Sequence, residues 1–162
     1  MSSLHTKKQS GFTLIELLIV IAIIATLAIV VFVALNPAQR FEDTRDARRT
    51  TDVATLLTAI HASIVDNKGT LPAGLSTSMA ETQIGTGATG CAISTGGCSV
   101  VATACVNLTT PLTAYLKTIP IDPTTTTFTA AKTGYSVTVD ANNIVTIKAC
   151  GTEGATNISI SR

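Results

Sequence analysis

An α+β fold, helical at its N-terminal end and closed by a small antiparallel sheet at its C-terminal end, follows from three patterns in this chain. A nearly unbroken apolar run fills residues 12–35, and an apolar stripe at helical spacing runs from Val53 to Ile64. Apolar and polar residues then alternate through residues 134–139 and 144–150. The second pattern carries the period of a helix and the third that of a strand, while the first is long enough to cross a membrane as a helix. The 162 residues leave room for one membrane segment and one domain of about 100 residues, large enough for a small core of its own.

From Phe12 to Leu35 only Thr13, Glu16 and Thr26 are polar. As a helix the run spans ~36 Å, enough to cross a hydrocarbon layer of ~30 Å. The ten residues before Gly11, MSSLHTKKQS, carry Lys7 and Lys8, which by the positive-inside tendency keep that end in the cytoplasm and place the remainder outside. A secretory signal peptide has a shorter apolar region closed by a small-residue cleavage site, and this run has neither feature. A plain signal anchor accounts for the lysines and the length. It leaves Glu16 unexplained, because a carboxylate inside a spanning helix costs ~2.5–3.5 kcal/mol.

The stretch Gly11-Phe12-Thr13-Leu14-Ile15-Glu16-Leu17, behind a short basic leader, resembles the signature of the type IV pilin and pseudopilin family. The resemblance implies that a membrane-embedded aspartyl prepilin peptidase cuts after Gly11, releasing residues 1–11 as a leader, and that Phe12 becomes an N-methylated mature terminus. Ser10 stands before Gly11, where the family frequently has Lys or Arg. It also implies a pilin-like long helix under a sheet-bearing head, a stay in the cytoplasmic membrane with the head outside, and then homo-oligomeric assembly into a helical surface filament by pilus assembly machinery.

The chemistry of Glu16 can be reasoned without the family. A chain that begins at Phe12 carries an ammonium among apolar groups, where an unpaired charge is very costly. Glu16 is four residues on and shares a helix face with Phe12, so it can neutralise that amine or the amine of a neighbouring subunit. The second pairing would drive assembly.

Asn36-Pro37 follows, and proline removes an amide donor and presses on the carbonyl four residues back. A kink near Pro37 and a fresh helix starting at Pro37 with Asn36 as its cap are both open. Arg40, Glu42, Asp43, Arg45, Asp46, Arg48, Arg49 and Asp52 form a charged band of mixed sign, expected to be a solvated face, with filament contacts added by the resemblance. Mixed signs argue against a nucleic-acid patch. The net charge of +1 agrees, since beyond the leader nine basic residues face ten acidic ones. Val53, Leu56, Leu57, Ile60 and Ile64 then make the stripe that should pack under a sheet, with His61 as a satisfied residue at its edge. Asn67-Lys68-Gly69 reads as the helix end, so residues 36–68 form the amphipathic continuation.

Residues 69–162 constitute the head. Thr70 to about Val106, poor in charge and rich in Gly, Ser, Thr and Ala, reads as a long connecting loop, either a site of subunit-specific contacts or an insertion without a binding role. Cys91, Cys98, Cys105 and Cys150 are disulfide candidates; four cysteines allow three pairings, and the expected one joins Cys91 to Cys98 and Cys105 to Cys150. The short spacings of a zinc site are absent. Residues 111–117 suggest a helical turn, stopped by Ile119-Pro120-Ile121-Asp122-Pro123. Thr124 to Thr127 reads as a polar loop, with O-glycan attachment as the alternative. Residues 134–139 and 144–150 predict a β-hairpin, and Ile158-Ser159-Ile160-Ser161 a third strand beside it.

His61 is the only histidine after the leader, and no Ser–His–Asp, Cys–His or phosphate-binding glycine pattern occurs, so an enzyme is not expected. No cofactor and no metal are expected either, because Asp122, Asp140 and Glu153 are scattered. The leading reading is a structural subunit of a type IV pilus-like filament serving adhesion, motility or DNA uptake. A type II secretion pseudopilin and a signal-anchored adhesin that never polymerises are the alternatives.

Overall fold

The computed structural model describes residues 11–124, 126–154 and 157–162. The leader residues Met1 to Ser10, with Lys7 and Lys8, lie outside the described residues, as does Thr125 of the expected polar loop. The architecture is α+β and pilin-like. Helix α1 spans Leu14–Leu35, helix α2 Pro37–Asp66, and four strands follow: β1 Met79–Gln83, β2 Tyr135–Val139, β3 Val145–Ala149 and β4 Ile158–Ser161. The chain divides into two compact units, one up to Arg40 and one from Phe41 onward.

In the first unit, α1 ends where Asn36 turns left-handed (φ 38°, ψ 75°). Asparagine tolerates that region because its short polar side chain compensates locally. Pro37 opens α2, where a proline fits because the first-turn amide needs no helical partner. The interruption is thus an αL residue followed by a new helix, with Asn36 closing α1 and its carbonyl accepting from Arg40 N–H at 3.4 Å.

The second unit is built on the stripe. Val53, Leu56 and Ile60 are fully buried and Leu57 nearly so, and they share one core with Tyr135, Val137, Val139, Val145, Ile147 and Ala149 from one face of the sheet. The sheet is antiparallel throughout, in the order β1-β2-β3-β4. Its central hairpin pairs Val137 with Ile147 and Val139 with Val145, so the period-2 alternation of both strands points the same residues at the helix. Helix α2 stops at Asp66, where Gly69 (φ 90°) donates to Ile64 O at 2.8 Å and closes the last turn. His61 sits half-buried with Nε2 3.1 Å from Arg162 O.

Three expectations are corrected. The charged band of α2 is not simply a solvated face: Asp46 and Arg49 are buried, although Arg40, Asp43 and Arg48 are exposed. The region from Thr70 to Val106 is not all loop, since β1 pairs with β2 through Met79↔Val139, Thr82↔Val137 and Gln83↔Ser136. Its sequence, Met-Ala-Glu-Thr-Gln, has no apolar alternation; the strand is defined by its partner and by Glu81, which accepts from Ser136 Oγ (2.7 Å), Lys148 Nζ (3.1 Å) and Ser99 N (3.1 Å).

The third correction concerns the cysteines. The disulfides join Cys91 to Cys105 and Cys98 to Cys150, not Cys91 to Cys98 and Cys105 to Cys150. Register decides this. Ile93 pairs with Val100 in both directions (3.0 and 2.8 Å), and Cys91 N donates to Thr103 O at 3.0 Å, so Cys91 comes opposite the residues near Cys105. Cys98 lies in the tight turn between those arms, where Cys98 N donates to Thr95 O, and Thr95 Oγ1 reaches Cys150 O at 2.7 Å. The turn is thereby laid over the end of β3. Cys98, Val100 and Cys150 form a second small apolar cluster there, which buries Ser136 on the face of β2 away from α2.

Candidate processing and assembly site

Residues 11–13 precede the helix without helical structure, and Gly11 and Phe12 are exposed. Among the described residues nothing lies within 4 Å of the position a Cβ would take on Gly11. The Gly11–Phe12 peptide bond is therefore, among the described residues, free of helical hydrogen bonds and open on the glycine side. A protease needs that: it must reach a carbonyl that is not tied into a ladder.

The helix begins one residue later with a reciprocal cap. Thr13 is extended (φ −86°, ψ 151°). Its Oγ1 accepts from Glu16 N at 3.3 Å, while Glu16 Oε2 accepts from Thr13 N at 2.8 Å and from Thr13 Oγ1 at 2.7 Å. Two amides that would otherwise lack partners are satisfied, and the carboxylate lies at the positive end of the helix dipole. Glu16 thus has local partners in Thr13, beyond the charge role expected of it. The signal was present as Thr13-x-x-Glu16, ahead of an apolar run.

Beyond the cap, α1 offers no second polar side. None of its residues is buried, and large apolar side chains such as Leu17, Ile24, Val30 and Phe32 are more than half exposed. Thr26 turns its hydroxyl back on Ile23 O at 2.8 Å, removing its polarity from the surface. At 22 residues the helix is ~33 Å long, sufficient to cross a membrane by length and composition. A helix apolar on every side requires an apolar surround.

In the second unit the buried charges gather around Arg49. Its guanidinium makes a two-pronged pair with Asp122 (Nε–Oδ2 2.7 Å, Nη2–Oδ1 2.8 Å) and also donates to Asp46 Oδ1 (2.7 Å), Thr124 Oγ1 (2.7 Å) and Glu153 Oε2 (3.3 Å). Arg45 binds Glu153 through both Nε and Nη2. Asp46 accepts from the amides of Glu153 (3.2 Å) and Gly154 (2.7 Å), which draws the 153–154 turn onto α2. Burial works against the Arg49 charge, but the hydrogen bonds to Asp122 and Asp46 outweigh it and hold the guanidinium protonated above its ordinary range. The bond from Arg45 holds the Glu153 carboxyl below the usual carboxylate range, against a smaller opposing effect of burial. Nearby, Tyr135 donates to Asp52 Oδ2 at 2.7 Å, and burial together with that bond pushes its phenol up.

The acids judged scattered in sequence are therefore divided in space. Asp122 and Glu153 meet at Arg49, whereas Asp140 sits in the β2–β3 turn with Oδ1 accepting from Asn142 N (2.7 Å) and Ile144 N (2.8 Å).

Residues 6–32 match a family model described as the prokaryotic N-terminal methylation motif, the class III signal of type IV pilins and pseudopilins. Searches of curated proteins and of solved structures each gave no significant match.

Proposed function

We propose that this chain is the structural subunit of a type IV pilus-like surface filament, cut after Gly11 by a prepilin peptidase, methylated on Phe12 and assembled through its apolar helix. The observation that carries the reading is the methylation motif at residues 6–32, set on a helix with no buried residue and one carboxylate. In the membrane, cleavage creates an ammonium on Phe12, one turn from Glu16. A subunit leaves the lipid when its helix finds an equally apolar surround among copies of itself, and the Glu16 carboxylate then neutralises a terminal amine, its own or a neighbour's. The pilus assembly machinery performs the transfer, and the head stays outside the cell throughout. Adhesion, motility or DNA uptake would follow from the exposed head.

Electron microscopy of surface-sheared material, combined with N-terminal mass analysis, tests this. Filaments whose subunits begin at methylated Phe12 are the expected result. Membranes holding an intact Met1 chain, with no filament, would overturn it.

A further inference from the structure

A cavity of about 320 Å³ opens in the head between the segment just after β1, residues 108–109, residues 117–121 and residues 130–133. Its interior is apolar. Ile84 and Leu108 are fully buried beneath it, and Ile119 and Ile121 are only half-buried, leaving hydrocarbon turned toward the opening. Of the four threonine hydroxyls around it, two are engaged: Thr133 Oγ1 donates to Ile84 O (2.6 Å) and Thr86 Oγ1 to Ala130 O (3.4 Å), while among the described residues those of Thr109 and Thr118 are not. Most of the accessible lining is still hydrocarbon, which favours an apolar occupant over water.

The walls are preformed. Thr86 N and Gly87 N donate to Ala130 O (3.1 Å) and Ala131 O (2.9 Å), and Gly85 N donates to Val106 O (3.0 Å). A Cβ on Gly85 would stand 2.2 Å from Ala131 O, so the two strands of backbone are in contact there. One charged residue, Lys117, lines the cavity. Lys117 is exposed, and among the described residues no hydrogen bond or ion pair engages its ammonium.

We propose that this cavity binds a single-chain amphiphile with a carboxylate head, a medium-chain fatty acid, with its acyl chain against Ile119 and Ile121, above the buried Ile84 and Leu108, and its carboxylate at Lys117 Nζ. The volume lies at the small end of ligand cavities, which suits one short chain and excludes a two-chain lipid. The unpartnered cation in the lining selects an anionic head over an alcohol. The ammonium is solvated, so it adds preference while the hydrocarbon supplies most of the affinity.

The test uses the full chain in the membranes or filaments of producing cells, exposed to a photoreactive, alkyne-tagged analogue of decanoic acid, with adducts mapped by peptide mass spectrometry. Adducts are expected on peptides carrying residues 84–86, 117–121 and 130–133, and also on α1, whose exposed hydrocarbon labels regardless and serves as the internal reference. Decanoate should displace the head adducts several-fold better than decanol, and Lys117→Gln should abolish that difference. Ala130→Phe should fill the cavity and remove the head adducts while α1 labelling persists. If Ala130→Phe does not fold, the exposed Lys117→Gln variant carries the test alone. Labelling confined to α1, equal displacement by decanol and decanoate, or head labelling unchanged in Ala130→Phe would overturn the proposal. A photocrosslink from the cavity to a neighbouring copy would assign the space to a subunit contact and overturn it as well.

Discussion

Taking a guanidinium out of water costs several kcal/mol, and Arg49, with no exposed surface, recovers this through four partners held by two distant turns and its own helix. Removing it leaves Asp122 and Asp46 as buried anions without their cation. Arg49→Met should therefore destabilise the head by about 3–5 kcal/mol in chemical denaturation. Arg49→Lys should recover only part of this, because an ammonium cannot make the two-pronged pair with Asp122. The neighbouring groups set the pH behaviour. Glu153 titrates below its unfolded value when folded, so its contribution is complete above the ordinary carboxylate range and is lost as pH falls through the folded value. Tyr135 is shifted upward, so its contribution is complete below about pH 10, the unfolded phenol value, and is lost as pH rises beyond it. Thermal scans across alkaline pH should show a falling melting temperature, flatter in Tyr135→Phe. At Glu16, the capping role and the charge role separate cleanly. Glu16→Gln keeps the reciprocal cap but cannot neutralise an amine, so processing should proceed while filaments disappear. Normal filament yield from a processed Glu16→Gln chain would remove charge pairing from the assembly mechanism. Parts of this chemistry were legible: Thr13-x-x-Glu16 and the spacing of three between Asp46 and Arg49 stand in the sequence. The meeting of Arg49 with Asp122 and Glu153 was not, because 73 and 104 residues separate them and only the fold closes those distances.

The helices and the central hairpin were readable because each buries a regular face. The stripe from Val53 to Ile60 meets the inward residues of β2 and β3, and truncating it at Leu56→Ala should cost about 2–5 kcal/mol, measurable as a lower denaturation midpoint. β1 escaped detection because its residues are mostly polar and its pairing depends on a long-range partner. The cysteine loop escaped for a related reason. Equal seven-residue spacings in sequence give no information on which arm of a turn each cysteine occupies, whereas the Ile93–Val100 register does. Non-reduced peptide mapping should recover the 91–105 and 98–150 links. By loop-closure entropy, replacing Cys98 and Cys150 together by Ser should cost about 4 kcal/mol, and replacing Cys91 and Cys105 about 3.

At the scale of the molecule, the division at Arg40 and Phe41 separates two solvent requirements. Helix α1 of the first unit is apolar on every side, and the second unit has its own core, its own ion network and both disulfides. A chain lacking residues 1–36 should be soluble without detergent and keep the thermal transition of the head, while the full chain needs a membrane, a micelle or its own assembly. Gel filtration with calorimetry compares the two directly; an aggregated or unfolded fragment would show that the head depends on the first unit. The Cys98–Cys150 link also has a mechanical meaning. Under tension along the chain, the separation of 52 residues that it closes cannot lengthen, which withholds about 180 Å of contour at ~3.4 Å per residue. Load applied between α2 and the C-terminal strand passes through this covalent link, so β2 and β3 stay inside a closed loop and extension is confined to chain outside it, β1 included.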